Sequence, residues 1–204
     1  MSKLVRKVKG FTLIELLVVI AIIGILASLL FPAIAGAIAK TKATRQGSDG
    51  RQLAIMLYGE NLDREARSQN PIWPCSTNVG STATAYFKFW GTIGALQTTP
   101  SMVSGPEMPV CQTTNWNDLA TEQVAWKIVK DPMNRDEMPL LISRNVKDPT
   151  QTSWELDPLI KPFGTKFAVV VSHQGKVDVL VPDKQTGKIE GLKYTLTGLE
   201  MLNP

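Results

Sequence analysis

Residues that carry chemistry are scarce in this chain. Its 204 residues include one histidine, His173, and two cysteines, Cys75 and Cys111. With no CxxC pair and a single imidazole, the ligands of a structural zinc site are missing. No GxSxG, P-loop or HExxH arrangement occurs, so the local signatures of acyl-transfer, nucleotide and zinc-peptidase centres are lacking. Internal repeats and low-complexity tracts are also absent. Basic residues outnumber acidic ones by 22 to 18, for a formal charge of +4. Lys3, Arg6, Lys7 and Lys9 account for that whole excess and precede everything else of note. No stripe of Lys and Arg interleaved with aromatics remains, and no nucleic-acid partner is expected.

What the chain does have is a long uncharged run. No charge falls between Leu16 and Ala39. A helix rising 1.5 Å per residue needs about 20 such residues to cross roughly 30 Å of hydrocarbon, so the run can span a membrane and membrane lipid is an expected partner. A cleaved secretory signal is the rival, with Ala35-Gly36-Ala37 as its small-residue site. Its apolar part, however, should cover only about 7–15 residues. One acid, Glu15, lies just inside the run. A charge there is costly and calls for a partner. One turn of helix brings Glu15 near Phe11, whose nitrogen is an amine only if the leader ending at Gly10 is removed. The alternative is a carboxylate that snorkels to the interface or answers the positive end of the helix.

Gly10-Phe11-Thr12-Leu13-Ile14-Glu15-Leu16 resembles the processing and methylation site of type IV prepilins and of the pseudopilins of type II secretion. The resemblance covers about the first quarter of the chain. It implies cleavage after Gly10 and N-methylation of Phe11 by a prepilin peptidase and methyltransferase, and an assembly role for Glu15. It also implies a helix kink at Pro32, and partners in other pilin-like subunits, in a homo- or hetero-fibre, and in an inner-membrane assembly platform. Lys40, Lys42 and Arg45 nearly balance the leader under the positive-inside rule. The resemblance therefore sets the orientation: single-pass in the bacterial inner membrane, with the leader cytoplasmic and the head periplasmic. It implies a structural subunit, not an enzyme. The TATAYF and MPLLISRNV segments resemble pseudopilin-type secretion proteins, which points to a type II secretion pseudopilus. The alternatives are a type IV pilus subunit for adhesion, motility or DNA uptake, and a membrane-anchored enzyme or ligand-binding ectodomain.

Beyond the apolar run, Leu53, Met56 and Leu57 return at helical spacing and predict one core-seeking helix face. Helix is expected from about Phe11 to Asn61, with Gly47 and Gly50 as places where it bends or frays. The expected division is a leader over 1–10, the membrane half of the helix over 11–39, its second half over 40–61, and a globular head over 62–204. A proline-rich loop follows at 68–78. The aromatic segment Tyr86, Phe87, Phe89 and Trp90, preceded by a Ser or Thr cap, reads as a short helix or a strand whose rings pack in a core. Leu119, Ala120, Val124, Ala125, Ile128 and Val129 fall in helical pairs and predict a helix over 118–130. Pro139–Ser143 reads as strand, and Phe167–Ser172 and Val177–Val181, around His173-Gln174-Gly175-Lys176, read as a β-hairpin. A long helix followed by a mainly antiparallel sheet is an α+β pattern, which is also the pilin-like fold the resemblance implies.

In an extracytoplasmic domain Cys75 and Cys111 are expected to form a disulfide, which would add about 3–4 kcal/mol. The alternative is two unpaired thiols. His173, in a hairpin turn, is expected at the surface. Some members of the resembled family hold calcium near the C-terminus, but the spacing of Asp157, Asp178 and Asp183 matches no calcium loop. No cofactor is expected.

Overall fold

The structure is a computed structural model that describes residues 10–75, 79–130, 138–193, 196 and 199–204. The chain divides into two compact units, Met1–Lys40 and Thr41–Pro204. The first helix, α1 (Leu13–Ala66), contributes to both.

Within the first unit the helix is apolar and no part of its most apolar window is buried. It is long and apolar enough to cross a membrane. Pro32 lies inside it. A proline nitrogen cannot bond to the carbonyl four residues back, here that of Ser28. The Ser28 hydroxyl is satisfied locally, donating to the Ile25 carbonyl at 2.7 Å.

In the second unit α1 changes character. Its buried residues, Ala43, Gln46, Gly47, Gly50, Leu53, Ala54, Leu57 and Asn61, recur at steps of three or four and form one stripe. The helix continues through Gly47 and Gly50. Both press against the sheet: a Cβ on Gly50 would lie 2.7 Å from two ring carbons of Trp126 and 2.9 Å from Val171 Cγ2, and one on Gly47 would lie 2.5 Å from Val177 Cγ1. At the helix end, buried Asn61 accepts from the Ile72 amide at 2.6 Å, fixing the chain as it turns away.

The aromatic segment is a helix, α2 (Ala83–Thr92), whose N-cap Thr82 accepts from the Ala85 amide. Tyr86, Phe87 and Trp90 are fully buried and meet edge to face.

The sheet has five strands: β1 (Trp126–Val129), β2 (Pro139–Ser143), β4 (Ala168–Ser172), β5 (Val177–Leu180) and β7 (Met201–Leu202). Their order is β5-β4-β2-β1-β7 and every pairing is antiparallel. A second sheet pairs β3 (Trp154–Glu155) with β6 (Lys188–Ile189). Alternate side chains of the main sheet enter two cores. Leu141, Val169 and Val171 join Leu53, Leu57 and Trp90, while Ile142, Ala168 and Val170 join Trp154, Leu156 and Ile189 on the other face. Covered on both sides, β1, β2 and β4 are buried throughout.

That double coverage explains why the helix expected over 118–130 does not form. The segment holds two single 3-10 turns, Trp116–Asp118 and Thr121–Gln123, and then enters β1. Residues 124–129 are apolar except for Lys127, and so short a run cannot by its period separate a buried strand from a buried helix. Here β2 and β7 on either side of β1 decide. The hairpin forms with Val171 opposite Val177, and the architecture is the α+β one expected.

Candidate functional site

The residues singled out at the N-terminus meet at the start of α1. Thr12 precedes the first helical residue and Glu15 is the third, and the two cap each other. The Glu15 carboxylate accepts from the Thr12 amide at 2.8 Å and from the Thr12 hydroxyl at 2.6 Å, and Thr12 Oγ1 accepts from the Glu15 amide at 3.4 Å. This is a capping box, which satisfies orphan donors of the first turn and places a negative charge at the positive helix end. Thr12 is therefore a site residue missed in reading the sequence. The spacing Thr-x-x-Glu ahead of an apolar run was the available signal.

Phe11 is 79% exposed. Gly10 is also exposed, and a Cβ added there would meet nothing within 4 Å. Neither packing nor a left-handed backbone requires glycine at position 10. The nitrogen of Phe11 is here the peptide nitrogen joined to Gly10, and Thr12 is what holds Glu15.

The remaining candidates lie apart from this cluster. Cys75 is exposed and Cys111 is buried, and both are free thiols, so the expected bridge is not formed. Cys111 packs in the core with its sulfur 3.6 Å from Thr113 Oγ1. His173 is not a surface residue: the hairpin folds its tip onto α1, burying the imidazole 5.8 Å from the ring of Tyr58, with Nδ1 unpartnered. Asp157 and Asp183 use their carboxylates to accept backbone amides of their own turns, from Leu159 and from Gln185 and Thr186. For Asp183 those amides hold the carboxyl below its usual range. Asp178 lies on β5. No group of three or more His, Cys, Asp or Glu that could hold a metal occurs among the described residues.

The family described as Prokaryotic N-terminal methylation motif matches residues 5–31. The chain is similar to the Type IV major fimbrial protein FimA of Dichelobacter nodosus strain VCS1703A and to the protein of the same description from Dichelobacter nodosus. Each is 42% identical over 74 residues, which is 36% of this chain and 44% of the relative. The chain thus spans less than half the length of these curated relatives. No solved structure matches it.

Proposed function

We propose that this chain is a type IV pilin-like structural subunit of a membrane-derived fibre, cut after Gly10, methylated at Phe11 and joined to neighbouring subunits through Glu15, a reading supported by the N-terminal methylation motif over residues 5–31 and by the similarity to a major fimbrial protein. The observation that carries this reading is the Thr12–Glu15 capping box at the head of an apolar, unburied helix. A carboxylate held there in fixed geometry has a defined partner once processing turns Phe11 into an amine, and in low dielectric such a pair is worth far more than in water. Gly10 supports the cleavage site, since nothing in the folded chain requires a glycine there. The partners are then a prepilin peptidase and methyltransferase, an inner-membrane assembly platform and other pilin-like subunits. The leader lies in the cytoplasm and the head in the periplasm.

Glu15→Leu tests the reading. Removing a charge makes the segment more apolar, so membrane fractionation should be unchanged, while co-purification of tagged with untagged subunits should be lost. Variant subunits that assemble like wild type would sink the role given to Glu15.

For the fibre's use, the likeness of the TATAYF and MPLLISRNV segments to pseudopilin-type secretion proteins supports a type II secretion pseudopilus. The similarity to a major fimbrial protein favours, as the second reading, a type IV pilus. Deleting the chain separates them: exported enzymes retained in the periplasm with surface fibres intact support secretion, and loss of surface fibres with normal export supports the pilus.

A further inference from the structure

A cleft of about 600 Å³ opens in the second unit between residues 42–49 of α1 and the loop over 98–110. On its helix side Gln46 is 1% exposed, and both its amide oxygen and its amide nitrogen are buried without a hydrogen-bond partner. On its loop side the Ser104 hydroxyl is buried and equally unpartnered. An unsatisfied buried polar group carries a desolvation cost, and here two residues that line one cleft each carry such a group beneath its surface.

The rest of the lining narrows the ligand class. Lys42 and Arg45 are balanced by Asp49 and Glu107, which disfavours a polyanion. Among the described residues no aromatic ring lines the cleft to stack a sugar or a base. Met102, Met108 and Val110 provide apolar, partly adaptable walls. A primary amide presents an N–H donor and a C=O acceptor side by side in one plane, the complement of the N–H and C=O of a single residue in an extended chain. We propose that this cleft binds an extended segment of another polypeptide, with the Gln46 amide pairing with the main chain of one residue and that residue's apolar neighbour seated against the methionines.

The unpartnered atoms are sealed from solvent, so binding requires the loop to part from α1. Lys42 Nζ and Glu107 Oε1, 3.1 Å apart, join the two sides, and both side chains are about half exposed, so this tie is a weak one. The inference goes beyond fibre assembly and does not depend on it, because the cleft lies wholly within the second unit and can be tested on single subunits.

The test uses the full chain in detergent micelles, panned against a phage-displayed random heptapeptide library with empty micelles as the blank. Binders should be recovered, and their affinity should fall about tenfold or more for Gln46→Leu, and likewise when the paired peptide nitrogen is methylated. Gln46→Leu removes two unsatisfied atoms at similar volume and should fold. Gln46→Met is the second variant, and both are checked by the same melt. Absence of binders above the blank overturns the proposal. Binders indifferent to folded Gln46 variants overturn it too, as does a cleft that mediates only self-association of this chain.

Discussion

The two parts of α1 differ in what surrounds their side chains. From Leu13 to Ile38 every large apolar side chain is exposed, from 46% at Val19 to 81% at Leu13. From Ala43 to Asn61 a single stripe is buried and the remaining faces are polar or half-covered. A helix that is apolar all round has no preferred protein partner and fits a membrane-anchored pilin, whereas a helix with a stripe is specified by the sheet it packs on. The difference lies in the glycines as well. Gly24 has open space around it, while Gly47 and Gly50 are pressed against the sheet.

The contrast can be broken most directly by truncating one leucine in each part. Leu57→Ala should cost about 2–5 kcal/mol of unfolding free energy, because Leu57 is fully buried in the main core. Leu26→Ala should leave that free energy unchanged, and equal effects in a denaturant titration of the full chain in micelles would refute the distinction. Next in size, Gly50→Val should cost about 1–3 kcal/mol by driving Trp126 and Val171 aside. Its signature is a shifted tryptophan emission, and Gly24→Val should show neither change.

Thiol labelling sharpens the same division between surface and core. In the native chain without reductant, Cys75 should alkylate readily, and Cys111 only on unfolding. Mass analysis that finds no free thiol would restore the bridge. The smallest effect is expected at Asp49, where burial raises the carboxyl above its ordinary range against the pull of Arg45. The folded chain then holds this proton more tightly than the unfolded one. The side chain favours folding below the unfolded value of about 3.9, and the contribution is lost as pH rises through the higher folded value. Asp49→Asn should therefore stabilise at neutral pH by less than about 0.5 kcal/mol, water still reaching the group, with no advantage near about pH 3. A variant less stable than wild type at neutral pH would contradict this.

Reading the sequence alone was enough for features whose cause is local. The apolar run needs only its length. The core face of Leu53 and Leu57 follows from helical spacing, and the β4–β5 hairpin from two β-branched runs around Gly175. The Thr12–Glu15 capping box was equally local, its partners three residues apart, yet it was overlooked because only the charge of Glu15 was weighed. Tertiary structure decided what depends on distant chain. Residues 126–129 are strand because β2 and β7 flank them, although the helical pairing of apolar residues from Leu119 to Val129 suits a helix. His173 is buried because the hairpin tip reaches Tyr58 on α1. Cys75 and Cys111 stay apart because one is left at the surface and the other enters the core. Gly47 and Gly50 are helix-weakening residues by propensity, yet they let the helix sit on the sheet, since only a residue without Cβ fits where Trp126, Val171 and Val177 come so close. Periodicity records which face of an element seeks cover. What covers it is settled only when segments far apart in the chain meet and exclude water together.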